Sequence, residues 1–130
     1  MPADELLTRQ MPHSLEAEQA ALGAMLIDAD CIKDVMDKLQ PEDFYIQQNR
    51  DIFETIYTMF SYSRPIDGVT VAEEMQKNGT FDQGATRNYL VQLMEVTPTS
   101  ANVMEYVNII RDKSLLRGLA KAAGDILATV

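Results

Sequence analysis

The sequence predicts an all-α protein, and three observations support this class. Every long segment repeats its apolar residues at intervals of three and four, which places them on one face of a helix. No segment shows the sustained alternation of apolar and polar residues that is typical of a half-buried strand. Prolines and glycines separate the periodic segments and so mark their ends. The expected architecture is a globular helical bundle followed by one long C-terminal helix.

The first helix is predicted from about Leu15 to Ile27. Ser14 is a good N-cap, because its hydroxyl accepts a hydrogen bond from a backbone N–H that the helix leaves unpaired. Glu16 and Glu18 place negative charge in the first turn, where the helix dipole favours it. Gly23 is unexpected here, since glycine costs about 1 kcal/mol relative to alanine in a helix interior. Either this glycine is simply tolerated, or it allows a neighbouring helix to pack closely; we expect close packing.

The middle of the chain divides into four predicted helices. Their approximate bounds are 29–39, 48–62, 70–78 and 87–96. Asp28 can cap the first of them, and Phe44 and Tyr45 in the turn that follows are expected to anchor that turn in the core. Thr70 and Glu73 match the spacing of a capping box, in which two side chains satisfy backbone donors reciprocally. This pattern places the start of the third of these helices at Thr70.

The C-terminal segment lacks proline from Ser100 to Val130 and keeps its apolar residues at three- and four-residue steps. It predicts one helix of about 30 residues, roughly 45 Å long, although Gly118 and Gly124 leave a kink open. Such a helix exceeds the length that a body of this size can cover, so its second half is expected to project. One face of that half carries Leu116, Leu119, Ala123 and Ile126. We expect this face to contact a partner, because exposed apolar surface commonly marks an interaction site.

No catalytic or metal-binding motif is found in the sequence. A G-x-x-x-x-G-K-[ST] phosphate loop is absent, and one histidine with one cysteine cannot make a zinc site of the usual type. His13 is interpreted as a surface residue ahead of the first helix, and Ser14 as a cap rather than a nucleophile. We therefore expect no enzyme activity, no cofactor and no metal in this chain.

Composition and charge indicate where the protein acts and what it binds. The single Cys31 cannot form an internal disulfide, which suits a reducing compartment. No apolar run approaches the roughly 20 residues that span a bilayer, and the acidic N-terminus differs from a secretion signal, so a cytoplasmic location without membrane contact is expected. The net charge is −9 with dispersed basic residues, whereas DNA binding normally requires clustered lysine and arginine. We expect weak or no direct nucleic-acid binding and a protein partner.

Five sequence blocks occur in a recognisable order along nearly the whole chain. They are "MPHSLEAEQAALGAMLID", "PEDFYIQQNRDIFETI", "PIDGVTVAEEM", "NYLVQL" and "TPTSANVMEYVNIIRDKSLLRGL". Together they resemble the N-terminal domain of the bacterial replicative DNA helicase, the DnaB family. The resemblance extends from about Met11 to Val130.

The resemblance implies an architecture and an assembly. In the family, a helical bundle is followed by a helical hairpin, hairpins of two subunits pair, and three such dimers form the collar of a hexameric ring. For this chain it implies a flexible N-terminal tail at 1–12, the bundle at 13–98 and the first hairpin helix at 99–130. The ATP-dependent motor, with its ATP and Mg²⁺, belongs to the full-length helicase and is not in this sequence.

The resemblance also implies partners. These are other copies of the chain, the C-terminal domain of a DnaG-type primase and, in some lineages, a helicase loader. Tyr89 and Ile126 match positions on the family's primase-facing surface. Tyr89 is alternatively a core residue, and Ile126 alternatively part of the hairpin seam. The alternative function is a free-standing adaptor or loader protein that resembles the helicase collar.

Overall fold

The computed structural model describes residues 11–80 and 84–129, and this part of the chain is built from helices without a strand. The α-helices of these described residues are α1 Leu15–Ile27, α2 Ile32–Met36, α3 Gln47–Ser61, α4 Gly68–Lys77, α5 Ala85–Glu95 and α6 Val103–Ala128. Two short 3₁₀ turns, Ala29–Cys31 and Pro41–Asp43, precede α2 and α3. The predicted all-α class is therefore confirmed. Most of the predicted N-terminal tail, residues 1–10, lies outside the described residues.

Helix α1 is the central helix of the body. It packs against α3, α5 and α6, and its buried residues lie on several sides, with Leu22 and Met25 fully buried. A helix that is apolar around most of its circumference is typical of a buried position. Ser14 caps α1 as predicted, because its Oγ accepts a hydrogen bond from the Ala17 N–H at 3.1 Å.

Gly23 lies where the end of α5 crosses α1. A Cβ atom at this position would overlap the Thr97 hydroxyl and would lie only 2.5 Å from the Leu93 carbonyl oxygen. The Thr97 hydroxyl is held there because it donates a hydrogen bond to the same carbonyl at 2.8 Å. Absence of a side chain at Gly23 therefore allows the two backbones to approach closely.

The core also contains the aromatic pair Phe44 and Phe53, whose ring centroids are 4.6 Å apart. Both side chains are fully buried, so the expected anchoring role of Phe44 is confirmed. Tyr45 is only half-buried and points its ring towards other partners, described below.

Two predicted helix starts are wrong. The helix expected at 29–39 is divided into the 3₁₀ turn Ala29–Cys31 and the short helix α2, and Asp28 caps the turn by accepting from the Asp30 N–H at 3.0 Å. The N-cap of helix α4 lies three residues before Thr70, the position inferred from the Thr70–Glu73 spacing. Its N-cap is Asp67, which accepts from the Thr70 N–H at 2.8 Å, while Thr70 Oγ1 accepts from the Asp67 N–H at 2.9 Å. A capping box is present, but Thr70 is its last residue instead of its first.

Helix α6 is continuous from Val103 to Ala128, with no break at Gly118 or Gly124. Val103, Val107 and Ile110 are buried against the body, whereas every residue from 118 to 129 is exposed. We name residues 103–117 the docked segment and residues 118–128 the exposed segment. Within the described ranges, no helix is both long enough and apolar enough to cross a membrane.

Candidate functional site

Tyr89 on α5 joins three helices through its hydroxyl group. The hydroxyl donates a hydrogen bond to Asn49 Oδ1 on α3 at 2.5 Å and accepts one from Gln19 Nε2 on α1 at 3.2 Å. The ring is half-buried and packs against the core. Burial raises the pKa of the Tyr89 phenol above its ordinary value of 10.0, and the two hydrogen bonds oppose that rise. Tyr89 is thus neutral at physiological pH, with its hydroxyl occupied inside the body.

Glu18 is a buried carboxylate at the end of this network. It is 1% exposed and accepts hydrogen bonds from the backbone N–H groups of Tyr45 at 2.9 Å and Ile46 at 3.3 Å, and from Asn49 Nδ2 at 3.0 Å. These two backbone groups precede α3, whose N-cap residue Ile46 has no capping side chain of its own. The carboxylate of α1 therefore supplies the anionic cap that the start of α3 lacks.

Sequence reasoning missed this role, because it assigned Glu18 only to the dipole of its own helix. A signal was available in the spacing. Glu18 shares a helix face with Leu22 and Met25, at four and seven residues, and both are apolar core residues. A carboxylate in register with a core stripe is expected to be buried and hydrogen-bonded.

A second cluster lies where α6 leaves the body. The Tyr45 ring stacks on the His13 imidazole with centroids 4.5 Å apart, and the guanidinium carbon of Arg117 lies 5.4 Å from the Tyr45 ring centroid. Arg117 also donates from Nη1 to the Pro12 carbonyl at 2.8 Å and from Nη2 to the Asp43 carbonyl at 2.6 Å. We name His13, Tyr45 and Arg117 the stacked clamp. His13, which was expected at the surface, is half-buried in this stack.

The residues predicted for self-association are all exposed in the structure. We name them the outer stripe: Leu116, Leu119, Ala123 and Ile126. The opposite, body-facing side of α6 carries Val103, Val107, Ile110, Ser114 and Arg117. At about 100° per residue, the centres of these two sets lie about 180° apart around the helix. The outer stripe, with Leu119 68% exposed, therefore faces away from the body.

The two predicted partner-contact residues lie in different parts of the molecule. The polar partners of Tyr89 are on α1 and α3. Ile126 lies near the end of the exposed segment and is 64% exposed.

Two depressions in the described surface contain none of the predicted site residues. One of about 730 Å³ lies beside α2 and the end of α3, near Met36 and Tyr57. Another of about 320 Å³ lies between α4 and α5, over Ala72 and Leu90. In the part of the chain that the structure describes, no group of three His, Cys, Asp or Glu side chains is placed to hold a metal ion. The candidate sites are therefore regions of the surface and not pockets or metal centres.

Sequence comparison connects these surfaces to known proteins. The family model of the DnaB-like helicase N-terminal domain matches residues 10–112. The replicative DNA helicase DnaB of Leifsonia xyli is 39% identical over 114 residues, which cover 88% of this chain and 25% of that relative. The chain spans 20 to 27% of the length of the curated helicase relatives that it matches.

Structure comparison gives the same relationship. The crystal structure of the N-terminal domain of DnaB helicase from Mycobacterium tuberculosis superposes with a TM-score of 0.87 at 36% identity, covering 92% of this chain and 83% of that one. The N-terminal domain of DnaB helicase from Helicobacter pylori, which was described with its interactions with primase, gives a TM-score of 0.74 at 26% identity. That match covers 87% of this chain and 88% of the neighbour.

Proposed function

Since this chain belongs to the DnaB-like helicase N-terminal domain family, we propose that it is the non-catalytic collar domain of a hexameric replicative helicase. In this role it assembles subunits and docks primase during DNA replication. Use of ATP and Mg²⁺ is assigned to the motor domain of such a helicase, outside these residues.

The outer stripe is the observation that carries the assembly part of the proposal. The body completes its core with the opposite side of α6, so the stripe contributes nothing to the fold of the single chain. Burying one leucine is worth roughly 1.5–3 kcal/mol. A row of such residues left in water at helical spacing is typical of a helix that packs against another helix.

Tyr89 and the Helicobacter pylori neighbour support the docking part. That neighbour was described with its interactions with primase. In this chain the Tyr89 hydroxyl is occupied by Asn49 and Gln19. We therefore expect primase to contact the ring of Tyr89 and not its hydroxyl.

Sedimentation equilibrium tests the assembly role. The chain would be compared with a version extended by about 25 residues, enough for a turn and a return helix alongside the exposed segment. We expect the extended version to dimerise more tightly, because the hairpin seam then has both of its helices. In the extended version, Leu119→Asp should abolish the dimer, whereas Lys121→Asp on the opposite face should not. Equally tight dimers in all versions would show that the body, and not the stripe, holds the pair.

Calorimetric titration with the C-terminal domain of a DnaG-type primase tests the docking role. Tyr89→Ala and Ile126→Ala should each weaken binding by about tenfold or more, as expected of central interface residues. Tyr62→Ala is the control, because Tyr62 is 75% exposed at the far end of α3. Since Ile126 is exposed, its variant keeps the fold, and unchanged affinity in that variant would contradict the assignment of Ile126.

A further inference from the structure

Arg117 is the last residue of α6 with a described contact to the body. The buried apolar contacts of the helix end seven residues earlier, at Ile110. Between them, Ser114 donates a hydrogen bond from Oγ to Asp43 Oδ1 at 2.7 Å. The final turn before the exposed segment is therefore held by polar side chains.

The guanidinium of Arg117 bridges two chain segments that are distant in sequence. One of its amino groups binds the Pro12 carbonyl, 105 residues away, and the other binds the Asp43 carbonyl, 74 residues away. Its central carbon also lies over the Tyr45 ring, at a distance suited to a cation–π contact. Hydrogen bonds from a charged donor are stronger than neutral ones, and contacts with three different residues restrict the position of the side chain.

We propose that Arg117 is a positioning residue that fixes the direction in which the exposed segment leaves the body. The exposed segment continues for 11 residues after Arg117, which corresponds to about 16 Å of helix. A change of about 20° in the direction of the helix at Arg117 would displace the end of the exposed segment by about 6 Å. The clamp consequently determines where the outer stripe is presented.

Arginine is required for this role. Its planar fork presents separate donors to two acceptors, while the ammonium of lysine is a single point charge on a flexible stem. Lysine keeps the charge, but all its donors are on one nitrogen and it has no planar group to cover Tyr45 while it binds the Pro12 and Asp43 carbonyls. Arg117→Lys should therefore behave almost like Arg117→Ala.

The inference goes beyond the proposed function, because it concerns a single chain and needs no partner. Distance measurement between two spin labels by double electron–electron resonance tests it in the 130-residue chain. Labels are placed at Asp125→Cys on the exposed segment and Glu54→Cys on α3, both exposed sites, with the buried Cys31 replaced by alanine. Dilution with unlabelled chain removes distances between molecules.

The unchanged chain should give a narrow distance distribution. Arg117→Lys and Arg117→Ala should each broaden the distribution roughly twofold, because the exposed segment can then take several directions relative to the body. Arg111→Lys, at an exposed arginine of α6, should leave the distribution narrow. A second label pair within the body, Glu54→Cys with Glu73→Cys, should not change in any variant.

Three results would overturn the inference. The first is an unchanged distribution in both Arg117 variants, which would mean that the direction is set without the clamp. The second is equal broadening of the pair within the body, which would show a general loss of the fold. The third is a fall in far-UV circular dichroism equivalent to the whole exposed segment, which would show that Arg117 supports helix formation and not direction.

Discussion

The two halves of α6 carry their apolar residues on opposite sides. In the docked segment, Val103, Val107 and Ile110 face the body and are buried. In the exposed segment, the body side carries Gly118, Lys121 and Asp125, whereas Leu119, Ala123 and Ile126 of the outer stripe lie on the opposite side. Apolar residues spaced three and four apart therefore predict that a helix forms. A change in the side of the helix on which these residues lie shows where the helix stops packing against one neighbour and becomes available to another.

The docked and exposed segments of α6 are also expected to differ in stability. The docked segment is part of the body's shared core, so it unfolds with the body. The exposed segment has no described contact with the body and depends on helix formation alone, which is marginal for a short helix in water. The body and the exposed segment are expected to respond differently to the same kind of substitution.

Replacing glycine with leucine should give the largest difference between the body and the exposed segment. Gly23→Leu should destabilise the body by roughly 3 kcal/mol or more, because the new side chain would overlap Thr97 and the Leu93 carbonyl in a filled core. Urea unfolding followed by circular dichroism measures the change. Gly118→Leu is the matched control, since nothing lies within 4 Å of a Cβ at that position. An unchanged unfolding midpoint for Gly23→Leu would mean that α1 and α5 separate without cost.

The reactivity of cysteine thiols should give the next largest difference between the body and the exposed segment. Burial, with a smaller effect of the nearby Asp28 carboxylate, raises the pKa of the Cys31 thiol from 9.0 to about 11. At pH 8 its thiolate population should be about 100-fold lower than that of an ordinary thiol. A cysteine introduced on the outer stripe by Ala123→Cys should thus react with Ellman's reagent at least that much faster. Similar rates at both positions would show that the body opens around Cys31 as readily as the stripe is exposed.

The same thiol makes stability depend on pH. Because its pKa is higher in the folded chain, its contribution to the free energy of unfolding is complete below about pH 9 and declines as the pH rises towards about 11. Replacing Cys31 with alanine should remove this part of the decline, which unfolding curves between pH 8 and 11 would detect.

Local signals explain why much of the fold could be predicted. The bounds of α1 follow from Ser14 and Asp28, each of which makes a capping hydrogen bond to a backbone N–H within three residues of its own position. The start of α4 was misplaced because two overlapping patterns, Asp67–Thr70 and Thr70–Glu73, both fit a capping box. Only the three-dimensional structure shows that Asp67 makes the cap.

The candidate sites were harder to predict, because their contacts are distant in sequence. Glu18 binds groups 27 to 31 residues away, so its partners could not be identified from the residues near it in the sequence. The contacts of Arg117 span 74 and 105 residues. By contrast, the outer stripe depends on spacing within one helix, and its shared face and exposure follow directly from the sequence.

Glu16 and Glu18, two acids in the first turn of α1, should give a smaller difference in the free energy of unfolding, and both lie within the body. Glu18→Gln keeps the shape of the side chain but brings an NH₂ group towards the N–H groups of Tyr45 and Ile46. We expect a loss of about 1–3 kcal/mol, the cost of unsatisfied buried donors. Glu16→Gln, on an exposed acid of the same turn, should change the free energy of unfolding little. Equal effects of the two variants in urea unfolding would show that Glu18 acts only through the helix dipole.

The smallest expected effect is a gain, and it is confined to the exposed segment. Gly118→Ala adds a methyl group in open space and should favour the helix by about 0.5–1 kcal/mol, because alanine loses less conformational freedom than glycine on becoming helical. Amide hydrogen exchange in 118–128 should slow by about two- to fivefold, which is that free energy expressed as a ratio. The urea midpoint of the body should not move, because the exposed segment shares no described contact with the core. A matching rise in the body's midpoint would show that both halves of α6 unfold as one unit, and the division at Arg117 would then be structural but not energetic.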